Sequence, residues 1–374
     1  MRNHDQVHSN PLPGSQPAGS VPTALSLRNF QPSDSSEVVK LLSIGRPTSY
    51  RGLKSAIFDW QFLQNPHSDG RSPFLVGTVG DGRIVALNGF MPTRIRFHNQ
   101  PMLASWSCDT YVSPDYRGQG FGKQLVKLVS DAAPIMLGYG ISDMSDPIFH
   151  KHDWVLNPHI VLLFCHVAES GITGRIKNFG SEFTRSRRTA GRSRVYSRDL
   201  ACEDHEQFLA EVDDLWNASR SGYVSTVERD AAYLNWKYYQ HPLNRYISYS
   251  VRSQGGLQGL MIARHDPEES VIADYCGPAD DVGLMSELAV AAVEDLAHRK
   301  TVRIRCETTH PPMVEALKDA GFLASRHVSR FRVRSNTAES DILAGWFLMT
   351  GDSDNDILPG LDAAAAKSSP DTHH

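Results

Sequence analysis

The sequence predicts an α/β protein built of two tandem, similar halves, each a mixed, mostly antiparallel sheet flanked by helices. Three observations predict it. Residues 103–129 read as a strand, a glycine-bearing turn and a helix: Trp106, Cys108, Thr110 and Val112 alternate with Ser107, Asp109 and Tyr111 at the period of a pleat. Pro114 ends that run, and Leu125, Val126, Leu128 and Val129 then follow at the spacing of one apolar helix face. The stretch before it, residues 74–79 and 84–90 around Gly80-Asp81-Gly82, reads as a hairpin. Finally, residues 234–242 repeat residues 58–66, aligning Trp236 with Trp60 and Pro242 with Pro66, and the elements that follow recur in the same order.

Taken in order, residues 1–24 are rich in Pro, Ser, Gly and Asn and read as a tail. An extended start near Ser26 leads to a helix through Val38, Val39, Leu41 and Leu42, with Pro32-Ser33-Asp34 as its cap. After the central helix, residues 135–142 suit a buried strand, a helix covers 146–152, and residues 161–165 form the last strand of a first domain spanning 25–168. Residues 169–200 read as a basic linker, in which Arg185, Arg187, Arg188, Arg192 and Arg194 would suit either a solvated segment or a phosphate-bearing partner. The second domain spans 201–352, with strands at 246–251, 257–263, 271–276 and 302–306, a helix at 284–296 and a last helix ending at Gly321-Phe322. Residues 353–374 read as a second tail.

Composition sets the outer bounds. A chain of 374 residues with 40% hydrophobic and 21% charged residues exceeds one core and suits two domains. Net charge is −4, so nothing global argues for nucleic acid. The five cysteines are odd in number, far apart and without a CxxC pair, which implies a reducing, cytoplasmic setting and no metal site. No apolar segment suits a signal peptide or a membrane span, so no membrane partner is expected.

The run Arg117-Gly118-Gln119-Gly120-Phe121-Gly122 carries the chemistry. A helix that starts there leaves its first N–H groups unpaired, and its peptide dipoles place partial positive charge at that end. Glycines permit the φ > 0 conformations that turn successive amides toward one point, and they let a diphosphate approach the backbone. Other phosphate motifs fit less well. Gly122-Lys123 is followed by Gln124 rather than Ser or Thr, and the three glycines are not spaced as in a dinucleotide fingerprint. In the second half the matching turn is Cys276-Gly277-Pro278-Ala279-Asp280-Asp281, which lacks the motif and puts two carboxylates where a diphosphate would lie. That copy reads as degenerate.

The whole run 112–122 resembles the pyrophosphate turn of the GNAT superfamily of acyl-coenzyme A N-acyltransferases, and the likeness covers residues 26–167 and, through the repeat, 201–334. The resemblance implies a tandem GNAT protein using acetyl-CoA, or another acyl-CoA, as co-substrate. It implies that Tyr111, Val112, Arg117, Gly118, Gln119, Gly120, Phe121, Gly122 and Lys123 hold that cofactor. It implies too that strand 135–142 splays from strand 103–112 to hold the acyl thioester. A backbone N–H of Tyr111 or Val112 would meet the oxyanion, and Asp109 would serve as base, orient the substrate ammonium or cap a bulge. The tyrosine that acts as general acid in many members falls on Phe149, which cannot donate a proton, so His150, His152 and Tyr139 become the candidate acids.

Residues 138–142 and 147–154 resemble a subgroup associated with surface-polysaccharide biosynthesis, which implies a small-molecule amine acceptor such as an amino sugar or amino-bearing metabolite. A peptide or antibiotic amine, and a non-catalytic acyl-CoA sensor or assembly module, stand as alternatives. The second copy would complete the acceptor pocket, mediate a homodimer or cover the first sheet's edge.

Overall fold

In the computed structural model the described residues are 24–44, 56–167, 194–200, 208, 210–326, 329–337 and 341–356. Arg185, Arg187, Arg188 and Arg192 of the basic stretch lie outside them. The first half supplies strands β1 (Ser26–Asn29), β2 (Phe74–Thr78), β3 (Ile84–Phe97), β4 (Gln100–Val112), β5 (Ile135–Tyr139), β6 (Val155–Asn157) and β7 (Val161–His166). The second supplies β8 (Arg194–Leu200), β9 (Ser225–Val227), β10 (Arg245–Ser253), β11 (Gly256–His265), β12 (Glu269–Cys276), β13 (Arg303–Thr308), β14 (Leu323–Ala324), β15 (Phe331–Ser335) and β16 (Trp346–Phe347). Helices α1 (Ser35–Ser43), α2 (Phe121–Ser130), α3 (Asp146–Lys151), α4 (Ala210–Ser219), α5 (Val282–His298) and α6 (Pro311–Asp319) flank them. Among the described residues no helix is long and apolar enough to cross a membrane.

Two sheets result, and each takes strands from the other half. The first runs β1-β2-β3-β4-β5-β15-β6, with β9 pairing beside β3 and β16 beside β9, and the second runs β14-β7-β13-β12-β11-β10-β8. Strand β7, expected to close the first domain, pairs instead with β13, placing Leu163 opposite Cys306. In return β15 lies between β5 and β6, with Phe331 opposite Tyr139. The expected spans 25–168 and 201–352 therefore do not each hold one sheet. A local pattern of alternating apolar residues specifies a strand but not its partner, and both insertion sites offer a buried edge. The last seven residues of the expected linker also join a sheet, as β8 pairs with β10 from Arg194 to Leu200.

One apolar core runs through both halves, from Val38 and Phe58 to Leu296 and Leu348. At its centre the repeated segments meet. Residues Asp59–Leu63 and Asn235–Tyr239 each form a wide π-turn, closed by Gln64 N–H to Asp59 C=O and Gln240 N–H to Asn235 C=O, both at 2.8 Å. Trp60 and Trp236 stack with ring centroids 5.1 Å apart. Each indole Nε1–H donates to the other's backbone carbonyl, at 2.8 Å from Trp60 and 3.0 Å from Trp236. This reciprocity relates the two turns as mates, so Gln61 corresponds to Lys237.

The expected tail from residue 353 is wrong in its first residues. Ser353 and Asp356 are buried, and the chain from β16 to Asp356 threads between elements of the second half. Buried Arg229 holds Asp352 through Nη2, at 2.8 and 2.9 Å from its two oxygens, and Asp274 through Nε at 2.7 Å. Lys237 Nζ donates to Ser353 C=O at 2.5 Å and lies 3.2 Å from Asp356 Oδ1. Charges out of water need such partners, and each sequence-remote pair here ties the terminus into the core.

Candidate functional site: a splayed strand pair beside a glycine cradle

Strand β4 carries a bulge. The register with β3 jumps between Leu87, opposite Tyr111, and Gly89, opposite Cys108, and Asp109 takes a left-handed φ of 52°. Aspartate is among the few residues other than glycine that tolerate this conformation. Asn88 fastens the bulge: its Oδ1 accepts from Thr110 Oγ1 at 2.6 Å and Ser107 Oγ at 2.7 Å, and its Nδ2 donates to Gly89 C=O at 2.8 Å. Asp109 is thus the bulged residue itself, and the residue that holds the bulge is Asn88, which sequence reasoning missed. The insertion also resets the expected alternation: Ser107 and Thr110 share one face, while Trp106, Cys108 and Tyr111 pack on the core through which the two halves meet.

Before the bulge is reached, β4 and β5 part. Their parallel pairing covers only Ala104 to Trp106 opposite Ile135 to Leu137, although β4 runs on to Val112 and β5 to Tyr139. A wedge opens between them, as the resemblance implied. Ser113 N–H donates to Val85 C=O at 2.8 Å, so by antiparallel alternation the backbone groups of Val112 face away from β3 and into the wedge. The Val112 carbonyl there accepts from Arg117 Nε at 2.9 Å. Of the two candidate oxyanion donors, Val112 is the one so aimed; Tyr111 pairs with Leu87.

The turn that follows is a cradle at the head of α2. Gly118 and Gly120 have φ of 79° and 84°, and a Cβ placed on either would meet nothing within 4 Å. Their requirement for glycine is therefore conformational, and the space over the turn is open. Gly120 is the N-cap of α2, with no side-chain cap. Arg117, Gln119 and Lys123 are exposed around it, Arg117 lying 5.7 Å from the Tyr111 ring centroid and Gln119 Nε2 donating to Asp115 C=O at 3.3 Å. The Phe121 side chain is buried, stacked on Tyr116 at 6.0 Å, so what it offers a ligand is its backbone N–H. Gly122 faces Ile148 and Val112 at ordinary contact distance, which places α3 and β4 beside the head of α2. Exposed amides at a helix N-terminus beside a fixed guanidinium suit the diphosphate of an acyl-CoA.

The catalytic candidates fare unequally. Asp109 sits half-buried on the bulge at the wedge. Tyr139, at the end of β5, is buried and its hydroxyl donates a hydrogen bond to the Glu307 carboxylate, which also accepts from Arg305 Nη1 at 3.1 Å and Ser329 Oγ at 3.0 Å. Burial, and then the Glu307 charge, push the Tyr139 phenol well above its usual range, so it keeps its proton for that bond. The second half therefore supplies the partner of a residue beside the first wedge. His150 is exposed: Phe149 packs edge-on against Trp154 at 4.9 Å, beneath α2, which turns His150 outward to solvent. His152 ends the same helix.

The corresponding turn of the second half is closed. Gly277 has no positive φ, and a Cβ on it would stand 2.5 Å from Tyr275 Oη. Its carbonyls are taken up by side chains: Tyr223 Oη donates to Gly277 C=O at 2.8 Å, Tyr275 Oη donates to Pro278 C=O at 3.0 Å, and His310 Nε2 lies 2.6 Å from Ala279 C=O. Asp281 accepts from Leu284 N–H at 2.9 Å and so caps α5 itself. A cavity of about 480 Å³ beside it is lined by Glu211, Asp214 and Asp280, a field that repels phosphate.

Residues 42–140, which contain the bulge, the wedge and the cradle, match the Acetyltransferase (GNAT) family. That stretch of the chain matches a GNAT acetyltransferase domain. No curated protein matches the chain. Among solved structures, a GCN5-related N-acetyltransferase from Anabaena variabilis superimposes with a TM-score of 0.54 at 11% identity, over 83% of this chain and 72% of that one. Saccharomyces cerevisiae N-myristoyltransferase with bound myristoyl-CoA gives 0.53 at 11% identity, over 84% and 85%. A glucosamine N-acetyltransferase region of a fungal GH3 β-N-acetylglucosaminidase gives 0.53 at 12% identity, over 84% of this chain and 38% of that one. These likenesses show the GNAT-like fold, and they extend past the matched GNAT domain across most of the chain.

Proposed function

We propose that the GNAT domain binds acyl-CoA, most simply acetyl-CoA, and transfers its acyl group to a primary amine of a small molecule, an amino sugar or amino-bearing metabolite, and that the chain is a duplicated GNAT protein with a silent second copy. One observation carries the reading: a cradle of positive-φ glycines opens beside a wedge into which Val112 aims its backbone N–H. In the reaction the neutral amine attacks the thioester carbonyl, forming the C–N bond. Val112 N–H donates a hydrogen bond to the oxygen as negative charge develops on it. Asp109, directly or through water, takes the ammonium proton, and the C–S bond then breaks with solvent protonating the thiolate. The polysaccharide-linked acceptor class rests on the subgroup resemblance of residues 138–154, and the duplication on the reciprocal Trp60 and Trp236 turns.

A second reading, an acyl-CoA-binding module without turnover, is favoured by one observation: Phe149 is packed beneath α2 where many relatives place their acid. Calorimetric titration of acetyl-CoA into the full chain tests the first claim. Binding at one site per chain is expected, weakened by about 100-fold or more in an Arg117→Glu, Gly120→Asp variant that stays folded. Equal binding by the variant, or none by the wild type, overturns it. Turnover across an amine panel then separates the enzyme from the module.

A further inference from the structure

Gln61 is completely buried, yet neither its Oε1 nor its Nε2 has a hydrogen-bond partner. Buried amides are almost always paired, because an unpaired one forfeits its bonds to water. The residue sits on the π-turn Asp59–Leu63, which lies over β3: a Cβ on Gly89 would stand 2.9 Å from Phe62 Cε1, and Gly89 is paired with Cys108 on the bulged strand. On the core-facing side of that strand, Trp106 Nε1 and Tyr111 Oη flank Cys108 and are likewise buried without a partner. Two neutral polar groups of β4 are thus left unpaired beside the wedge, and a third, Gln61, is left unpaired on the turn that packs over the adjoining strand.

The mate of Gln61 shows what this position addresses. Lys237 occupies the same place on the second π-turn, and its ammonium holds Ser353 and Asp356, part of the segment that fills the second half's own wedge. Thr350 of that segment accepts from Glu307 N–H on β13 at 2.8 Å, and a Cβ on Gly351 would stand 2.8 Å from the carbonyl of Ala273, the bulged residue of β12. Where the second half uses a cation for its own acidic chain, the first presents an amide.

We propose that Gln61 binds the amine acceptor, and that this acceptor carries neutral hydroxyl groups beside its amine, as an amino sugar does; the proposal rests on the acyl-transfer reading of this site. An amide both donates and accepts, an indole donates and a phenol does either, which together match hydroxyls. A polyamine or a lysine-rich peptide would bring further ammonium groups to a place where none of these three groups carries a compensating charge.

The test uses the full chain, with glucosamine as probe and spermidine as the contrasting amine. Gln61→Leu removes two unpaired polar atoms, so its melting temperature without ligand should rise. Its acetyl-CoA affinity should stay unchanged, and its KM for glucosamine should rise about tenfold, the loss expected of one or two neutral hydrogen bonds. Gln61→Met keeps the length and removes both polar atoms, should raise the glucosamine KM likewise, and serves where Gln61→Leu does not fold. An unchanged glucosamine KM in both variants, or a wild type that binds acetyl-CoA and acetylates spermidine but not glucosamine, overturns the proposal. Glucosamine-induced thermal stabilisation, read without acetyl-CoA, separates the two claims. If it is present in the wild type and lost in the variants, the pocket stands even where acetyl-CoA does not bind; if it is absent in the wild type together with turnover, the pocket assignment falls.

Discussion

The first and second wedges share a frame and differ in what fills it. In both, a bulge interrupts the pairing of the central antiparallel strands, at Asp109 and at Ala273, and the parallel partner has departed a few residues before it, after Trp106 and after Val271. In the second the chain's own segment enters the gap: Met349 bridges to Thr308, Thr350 bonds Glu307, and Asp352 is locked to Arg229. The turn above it is shut by Tyr223, Tyr275 and His310 and carries aspartates. In the first wedge the turn is open and lined by backbone N–H groups and Arg117. The difference teaches that the fold supplies the gap, whereas a few residues at the turn and one crossing segment decide whether a ligand or the polypeptide occupies it.

The largest effect that would break this comparison is at Asp352. Replacing it with Ala leaves Arg229 buried with Asp274 as its remaining carboxylate, and should destabilise the chain by about 3 kcal/mol, the lower end of the range for a buried pair broken from one side. The midpoint of urea unfolding measures it, and acetyl-CoA affinity in the first wedge should not move. A loss under about 1 kcal/mol would mean that the segment is not what holds the second wedge shut.

A smaller effect concerns the exchanged strand. Arg332 on β15 grips Asp146 on α3 through Nε at 2.7 Å and Nη2 at 2.9 Å, joining the second half's strand to the first half's helix. That guanidinium, working against partial burial, holds the Asp146 carboxyl below its ordinary value of 3.8. The folded state therefore binds the proton less readily than the unfolded chain. The stabilisation is in place above 3.8 and is lost as pH falls from there through the lower value of the folded state. Asp146→Asn should lower stability near neutrality by about 1 kcal/mol or less and flatten the acid limb of melting temperature against pH. An acid limb as steep as the wild type's would show that this pair does not secure the exchanged strand.

Much of this was legible in the sequence, and the remainder was not for physical reasons. The hairpin, the glycine turn, the amphipathic helix after it and the Trp60 and Trp236 repeat are local patterns with local causes, and the structure contains them all. The bulge was not, because it is a property of register between two strands; the only signals were an Asp tolerant of left-handed φ and an Asn at position 88. Exchange of β7 and β15 was illegible since either strand satisfies either gap by its own pattern. The role of Asp352 and Asp356 required knowing that Arg229 and Lys237, more than 100 residues earlier, are buried without solvent. Tyr139 was singled out from position alone, and its partner Glu307 comes from the other half.

The most direct test of an open first wedge and a filled second one is amide hydrogen exchange on the full chain with and without saturating acetyl-CoA. The account predicts slowed exchange across residues 110–123 and no change across 276–284. Protection centred on 276–284, or equal protection of both turns, would contradict it.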